Sequence, residues 1–181
     1  ASVLHEGERH RLKAIPVKHR IACAGLKVEE HSLPWKLDGL RAKQANMPFS
    51  VRQQLKRGEV AVWEGQTLDP KAWCTPPADA RSYVYSSDTR PCQALREAAM
   101  NATVLYHDAT FKDEDGDRAK ATYHSTTKEA GRLARQAEVG TLVIGHVSLR
   151  YRDLESLREE ASKEHNNVIV AEDGMVIHIG S

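Results

Sequence analysis

The stretch Tyr83-Val84-Tyr85-Ser86-Ser87-Asp88-Thr89-Arg90-Pro91-Cys92 carries an apolar strand directly into an acidic residue and then into a segment with helical character. A carboxylate at the end of a buried strand costs free energy unless a positive group meets it, and in many enzymes that group is a metal ion. Two further apolar runs, residues 104–108 and 142–146, also end in Asp or His. Because active sites gather at strand ends in layered α/β folds, we expect these side chains to share a site.

The composition is that of an ordinary globular chain. With 181 residues, 40% of them hydrophobic and 28% charged, the chain is long enough for one domain with a real core. Its 26 basic residues are balanced by 25 acidic ones, so the net charge does not demand a nucleic-acid partner, although local patches still can bind one.

Cysteine usage and hydropathy indicate a cytoplasmic protein. The chain has three widely spaced cysteines and no CxxC pair, which argues against a disulfide framework or a structural zinc knuckle and fits a reducing cytosol. No apolar run approaches the ~20 residues of a membrane span. No basic-then-apolar leader is visible, and we expect no membrane partner.

The order of elements predicts an α/β fold, a sheet with helices packed on one face. Strands are predicted at residues 3–8, 10–17, 21–28, 82–86, 103–107 and 141–145, with a closing β-hairpin formed by 167–171 and 175–179. Helices are predicted at 92–99 and 153–164, and a third opens at Thr126, where Glu129 completes a capping box. Residues 112–118 are predicted to be a solvated charged loop, with the D-x-D-x-D-G-x5-E register of a calcium site lacking.

Residues 31–80 differ in character from the rest and are predicted to be an inserted segment with little core of its own. They hold five prolines, a short helix at 51–55 and a small hairpin at 60–68, and they interleave aromatic residues with basic ones such as Arg52, Lys56 and Arg57. A surface excursion and a basic, aromatic-bearing arm that grips a phosphate backbone both fit this pattern. Residues 1–30 and 81–181 would form the remaining domain.

Three strand-end residues are candidate metal ligands. His19, Asp88 and His146 each follow an apolar strand, and imidazole and carboxylate are suitable donors for zinc or manganese. The alternative is that backbone groups satisfy each of them as an ordinary strand-end polar residue.

Other polar residues are candidates for acid–base chemistry and for phosphate binding. His124, oriented by an acidic residue such as Asp108, could act as a general acid or base, or it could be held in its loop by turn hydrogen bonds. Arg90, Ser148 and Arg150 follow strand ends, where an Arg fork suits phosphate and equally suits a surface salt bridge.

Five motifs in register resemble ribonuclease Z, the tRNA 3′-processing endonuclease family of the metallo-β-lactamase superfamily. They cover nearly the whole chain: Ile15-Pro16-Val17-Lys18-His19-Arg20-Ile21, Ser87-Asp88-Thr89-Arg90-Pro91-Cys92, His107-Asp108-Ala109-Thr110-Phe111, His124-Ser125-Thr126-Thr127 and Gly145-His146-Val147-Ser148-Leu149-Arg150-Tyr151. The resemblance implies the C-terminal half of an αββα sandwich with a protruding tRNA-binding arm at 31–80.

The resemblance also implies roles for individual residues. His19 would complete the ligands of one zinc, His146 would bind the second, and Asp88 would bridge both. His124 would help to protonate the leaving 3′-oxygen, with Asp108 as its acidic partner. Arg90, Ser148 and Arg150 would line the phosphate path, and Arg52, Lys56 and Arg57 would contact the tRNA body.

The chain departs from the family pattern in three places. Ser87 stands where the family usually has Gly, and Asp108 where it usually has Glu. The His-x-His-x-Asp-His motif of the family's first half occurs nowhere in the sequence, so three protein ligands would be spread over two zincs. We therefore expect this chain alone to be inactive and to need the N-terminal half of the same protein; the family also implies a homodimer.

Two alternatives to a tRNA-processing endoribonuclease remain open. One is a non-catalytic RNA-binding module, which would bind tRNA in a salt-dependent manner without zinc. The other is a different metallo-β-lactamase-type phosphodiesterase, whose substrate choice would not depend on residues 31–80.

Overall fold

A computed structural model describes residues 1–179, which cluster into two compact units: 1–30 with 81–179, and 31–80. The strands of the first unit are β1 (Ser2–Glu6), β2 (His10–Pro16), β3 (Ala24–Glu30), β8 (Ser82–Tyr85), β9 (Val104–Asp108), β10 (Thr141–Gly145) and β11 (Val168–Val170). They form a seven-stranded mixed sheet in the order β1-β2-β3-β8-β9-β10-β11. The pairs from β1 to β8 are antiparallel, and those from β8 to β11 are parallel. The predicted α/β class is confirmed.

Helices connect the parallel strands and cover one face of the sheet. They are α3 (Gln93–Ala98), α4 (Gly116–Thr122), α5 (Thr127–Gln136) and α6 (Leu154–Ser162). Each crossover leads to the next strand in the same direction, and right-handed crossovers of that kind place their helices on a single face. Leu95, Leu133 and Leu157 of these helices join Leu105 and Ile144 of the strands in one buried core.

Local signals explain where the helices begin and how closely they pack. The Thr126–Glu129 capping box forms as predicted, and Asp153 caps α6 through the backbone N–H groups of Glu155 and Ser156. Gly131 lets α5 approach α6, because a Cβ on this residue would lie 2.7 Å from the Ala161 carbonyl oxygen.

The predicted loop at 112–118 is wrong. Residues Asp113–Asp115 form a 3-10 turn that continues into α4. Three consecutive acidic residues at its start favour a helical N-terminus, because they meet the unpaired backbone N–H groups of the first turn.

The predicted closing hairpin is also wrong in its second strand. The Asp173-Gly174 turn is present, with Gly174 at φ 82°, but residues 175–179 do not pair with β11. Alternate side chains of this segment instead lie against the helix-free face of the sheet, around a cavity of about 230 Å³. The cavity is lined by Met175, Ile177 and Ile179 of the segment and by Tyr83, Val104, Tyr106 and Val143 of the strands. Burial of apolar surface there replaces the expected hairpin hydrogen bonds.

The unit at 31–80 has a core, contrary to expectation. It contains α1 (Gly39–Gln44), α2 (Phe49–Lys56) and two small sheets, β4 (Lys36–Leu37) with β7 (Cys74–Thr75) and β5 (Ala61–Trp63) with β6 (Gln66–Leu68). A short 3-10 helix spans Pro70–Ala72. Seven buried side chains of the unit at 31–80 pack together: Ala42, Met47, Val51, Leu55, Ala61, Leu68 and Cys74. Sequence reasoning missed this core because its apolar residues are spread thinly among charged ones.

The inserted unit begins and ends at adjacent points of the larger one. The Glu30 backbone N–H donates to the Arg81 carbonyl oxygen at 2.9 Å, and the Arg81 guanidinium binds both oxygens of the Glu30 carboxylate. This pairing lowers the pKa of Glu30 to about 2. None of the helices in residues 1–179 has the length and apolar character that a bilayer crossing requires.

Candidate metal centre

The candidate site lies at the carboxyl ends of three neighbouring parallel strands. Asp88 follows β8, Asp108 ends β9 and His146 follows β10, and Gly145 is in register with Asp108. One ligand atom from each of four side chains, Asp88, Asp108, His124 and His146, lies within 4.8 Å of the others. The strand ends therefore bring together the residues that the sequence pattern predicted to share a site.

Asp108 is buried and its acceptor positions are filled. Its Oδ1 accepts the backbone N–H of Thr110 at 3.0 Å and the Thr110 hydroxyl at 2.7 Å. Its Oδ2 accepts the backbone N–H of Thr89 at 2.9 Å and the Nδ1–H of His124 at 2.7 Å. Two carboxylate oxygens offer about four acceptor positions, so this carboxylate anchors its neighbours and is a poor candidate for a metal ligand.

His124 stands between two other histidines. Its ring stacks on that of His146 with centroids 5.0 Å apart, and its edge meets the ring of His19 at 5.1 Å. Since Nδ1–H donates to Asp108, the atom of His124 that can exchange a proton or bind a ligand is Nε2.

His19 is held beside the cluster by backbone contacts. Its Nδ1–H donates to the Tyr123 carbonyl oxygen at 3.1 Å, which leaves its Nε2 lone pair free. The preceding residue, Lys18, forms an isolated bridge with Arg90 and donates its N–H to the Thr89 hydroxyl at 3.0 Å. His19 is therefore tied to the segment that carries Asp88, although it is outside the four-residue cluster.

Asp88 is the least restrained member of the cluster. Its carboxylate is 39% exposed, and its one ion-pair contact among residues 1–179 is to Nδ1 of His146 at 3.7 Å. An accessible carboxylate beside imidazole nitrogens has the chemistry of an oxygen ligand for a divalent cation.

Three residues at or next to the cluster adopt left-handed backbone conformations. Ser87 has φ 56°, Tyr123 has φ 63° and His146 has φ 57°. Such conformations cost about 1–2 kcal/mol for residues other than glycine and are retained where the surrounding structure enforces them, often at functional sites. Each turns the chain sharply at the point where Asp88, His124 or His146 enters the site.

The arginines predicted to bind phosphate have partners in the first unit. Arg90 pairs with Glu129 at 2.6 Å and donates to the His124 carbonyl oxygen at 3.1 Å, so it supports the loop of His124. Arg150 lies over the Phe111 ring at 5.3 Å and contacts Asp115 at 3.4 Å.

Ser148 and the predicted basic residues of the second unit also make local contacts. Ser148 Oγ accepts from Arg150 Nε at 3.3 Å. Arg52 Nε donates to the Met47 carbonyl oxygen at 2.7 Å, and Arg57 forms a two-point ion pair with Glu59. Lys56 lies in the last turn of α2.

Sequence reasoning missed the hydroxyl groups that organise the site. Ser86 Oγ accepts the backbone N–H of Asp108 at 2.9 Å, the Thr110 hydroxyl donates to Asp108 Oδ1 at 2.7 Å, and the Thr89 hydroxyl accepts the backbone N–H of Lys18 at 3.0 Å. The available signal was a hydroxyl residue close to each candidate aspartate, at a position where apolar residues had just ended.

The donor set fits a zinc or manganese ion. The carboxylate of Asp88 and the imidazole nitrogens of His19 and His146 are oxygen and nitrogen donors of the kinds these ions accept. The chemistry of these side chains therefore supports a candidate metal centre.

Comparison with known proteins finds relatives named ribonuclease Z, although no family model matches the chain. The chain is 37% identical over 177 residues to ribonuclease Z of Haloarcula marismortui, covering 96% of this chain and 57% of that protein. It is 35% identical over 179 residues to ribonuclease Z of Porphyromonas gingivalis, covering 98% and 59%.

Solved structures share the fold. The metallo-β-lactamase fold protein YhfI from Bacillus subtilis superposes with a TM-score of 0.62 at 16% identity, covering 96% of this chain and 51% of that one. The short form of human tRNase Z superposes with a TM-score of 0.59 at 22% identity, covering 99% and 47%. The seven-stranded sheet thus has a metallo-β-lactamase-like mixed α/β fold, and the chain spans 57% to 59% of the length of these two curated relatives. The chain is therefore a homologue of ribonuclease Z over nearly its whole length, and its fold is metallo-β-lactamase-like.

Proposed function

We propose that this chain supplies the C-terminal part of a metal-dependent endoribonuclease that removes the 3′ trailer of precursor tRNA. The observation that carries the proposal is the convergence of Asp88, Asp108 and His146 at adjacent strand ends, with His124 from the loop before α5, in a chain whose relatives are named ribonuclease Z.

Each candidate residue has a role that its contacts support. Asp88, His146 and His19 would hold the metal ions, zinc or manganese, which supply an activated water and neutralise developing charge on phosphate. His124, fixed by Asp108, would present Nε2 to the leaving 3′-oxygen and deliver its proton.

The site as described is short of protein ligands. His19, Asp88 and His146 spread over two zincs give each ion two protein ligands when Asp88 is counted twice, whereas catalytic zinc usually has three. We therefore propose that the chain alone binds zinc weakly and does not turn over, and that residues of a His-x-His-x-Asp-His segment, in the same polypeptide or a partner, complete it.

The unit at 31–80 is proposed to bind the tRNA body. The Arg57–Glu59 pair is exposed, with 56% and 52% of the two side chains accessible, and exposed pairs contribute only about 0–1 kcal/mol. A phosphate group could therefore replace Glu59 at little cost, and Lys56 and Arg52 on the same helix would extend the basic surface. Arg90, Ser148 and Arg150 would then act near the scissile phosphate, partly through the loops they support.

The first test is cleavage of a precursor tRNA with zinc supplied. We expect no trailer removal by the chain alone, and removal by a longer protein that carries the missing motif. In that longer protein His146→Ala should abolish cleavage and leave tRNA binding in place. Robust turnover by the chain alone would contradict the half-site proposal, and activity that survives His146→Ala would contradict the ligand assignment.

A different metal-dependent phosphodiesterase is the second candidate, because YhfI, whose name specifies no RNA substrate, shares the fold at least as well as human tRNase Z. Deleting residues 32–78 from the longer protein separates the two. Loss of tRNA processing with retained hydrolysis of a small aryl phosphodiester supports the tRNA enzyme, while unchanged tRNA processing supports the alternative. A salt-dependent tRNA affinity with no zinc dependence would favour an RNA-binding module.

We also propose that the assembled protein is a homodimer, as the family resemblance implies. Size-exclusion chromatography with light scattering should then give twice the mass of one chain, and a mass of one chain at micromolar concentration would reject this proposal.

A further inference from the structure

The Thr110 hydroxyl is the point where the candidate residues meet. Its Oγ1 lies 2.7 Å from Asp108 Oδ1, 2.8 Å from His146 Nδ1 and 3.2 Å from His124 Nδ1. The side chain is 8% exposed, so water has little access to substitute for these contacts.

A hydroxyl has one proton to give, and its neighbours decide which acceptor receives it. Asp108 is a buried carboxylate, and hydrogen bonds to an ionised acceptor are about twice as strong as neutral ones. The Thr110 proton therefore goes to Asp108 Oδ1, which leaves only lone pairs on Oγ1 for the histidines.

That allocation fixes the proton on His146. At 2.8 Å from an oxygen that has no proton left to offer, Nδ1 must be the donor. The same atom faces Asp88 Oδ1 at 3.7 Å and Asp108 Oδ1 at 4.0 Å, and an N–H dipole is favoured beside two carboxylates where a lone pair would be repelled. The Nε2 atom of His146 then carries the free lone pair.

We infer that Thr110 is a positioning residue that holds His146 in the Nδ1–H tautomer and so aims its Nε2 lone pair at the metal position. The inference deepens the proposed function, on which it rests for the role of His146. It also accounts for the position of Thr110 two residues after Asp108, because the aspartate must accept the hydroxyl proton for the arrangement to work.

The test reads tautomers directly in the metal-free chain. Long-range ¹H–¹⁵N correlation spectra recorded at about pH 8.5 distinguish the ring nitrogen that carries the proton from the one that carries the lone pair. A His146→Gln variant assigns the signals. We expect the Nδ1–H form for His146 in the parent chain and in Thr110→Ser, which keeps the hydroxyl.

In Thr110→Val, which keeps the shape and loses the hydroxyl, we expect His146 to shift toward the Nε2–H form that free imidazole favours. His124 should keep its Nδ1–H form, because Asp108 still accepts it, and this serves as the internal control. An Nε2–H His146 in the parent chain, or an unchanged tautomer in Thr110→Val, overturns the inference. The parent spectrum alone decides the first point even if the valine variant does not fold.

Zinc added to the longer protein that carries the missing motif separates the inference from the proposed function. We expect the His146 Nε2 signal to respond to Zn²⁺, with about 10- to 100-fold more zinc required in Thr110→Val, the range typical for lost outer contacts of a metal ligand. A zinc response that is identical in parent and variant overturns the inference and leaves the proposed function intact. A tautomer that depends on Thr110 without any zinc response supports the inference and counts against the metal role proposed for His146.

Discussion

Asp108 Oδ2 lies 2.7 Å from His124 Nδ1, and the carboxylate behind this contact is buried with four hydrogen bonds to its two oxygens. The pair ties the end of β9 to the loop that opens α5. It fixes the ring of His124 and the turn of the backbone at Thr89 at the same time, so a single side chain organises two sides of the site.

Replacing Asp108 with Asn should damage both stability and cleavage. An amide NH2 would face at least one of the donors that now point at the carboxylate, and an unsatisfied buried donor in a charged network costs about 3 kcal/mol. His124 would lose its tautomer control, and we expect cleavage by the completed enzyme to fall about 10²- to 10⁴-fold. Urea unfolding and single-turnover cleavage measure the two effects.

The matched control for this change is Asp113→Asn, at an exposed carboxylate whose partner is Lys128. Its effect on stability should stay within about 0.5 kcal/mol. Equal behaviour of the two variants would show that the network around Asp108 does not hold the site together.

Replacing Ser87 with Gly should stabilise the chain. The backbone of Ser87 has φ 56°, at a position where the ribonuclease Z family usually has Gly. Relief of this left-handed strain is worth about 1 kcal/mol, or about 2–4 °C in Tm for a chain of this size. Thermal unfolding measures the shift. Ser87→Ala is the control, because it keeps the strain and loses the 3.1 Å contact to Cys23 Sγ, and it should not raise Tm. A glycine variant no more stable than the parent would reject the strain argument.

The stability of the chain should fall in mild acid because of His107. This side chain is fully buried, its Nδ1–H donates to the Asp108 carbonyl oxygen at 2.7 Å and its Nε2 has no partner among residues 1–179. Burial lowers the pKa of His107 below its ordinary value of 6.5. The unfolded chain therefore binds one more proton as pH falls below ~6.5, and that proton draws the equilibrium toward the unfolded state.

Above pH ~6.5 the neutral, buried His107 makes its full contribution to the free energy of unfolding. That contribution is lost as pH falls from there toward the lowered pKa of His107 in the folded state, by up to about 1.4 kcal/mol per pH unit. Urea unfolding at a series of pH values from about 7.5 to about 5.5 would measure the slope in the parent chain and in His107→Asn, whose side-chain amide can still donate. The slope should decrease in His107→Asn and remain in His178→Asn, an exposed site. Identical slopes in all three proteins would be incompatible with this account.

The segment after the Asp173-Gly174 turn should stabilise the chain through its inward side chains only. Ile177 lies against the sheet with Tyr106 and Val143, whereas Val176 is 76% exposed. Ile177→Asp should cost about 2 kcal/mol through lost apolar burial and a desolvated carboxylate, and Val176→Asp should cost less than about 0.5 kcal/mol. Comparable losses in the two variants, measured by urea unfolding, would show that the segment does not rest on the sheet as described.

Much of the sheet could be predicted from the sequence because its signals are local. The capping box at Thr126, the apolar run before Asp108 and the strand before Asp88 each specify an element from adjacent residues. The second strand of the closing hairpin was wrong because its alternation fits any apolar surface, and only the tertiary structure shows that the sheet face, rather than β11, receives it.

The candidate site was predictable in its acidic and histidine members and not in its hydroxyls. Asp88, Asp108 and His146 lie at strand ends, which periodicity indicates, and strand ends in a parallel sheet converge. The contact of Thr110 with His146 joins residues 36 positions apart and depends on the left-handed turn at His146, which no local pattern encodes.

The four-residue cluster lies within residues 88–146, the segment whose parallel strands are neighbours both along the chain and in space. By contrast, β3 can pair with β8 only after the fifty residues between Glu30 and Arg81 have been spanned. Short connections close at a lower entropic cost than long ones. The consequence concerns folding order: we expect the parallel half of the sheet, with the four-residue cluster, to form first, and the antiparallel half, which brings His19, to join it later.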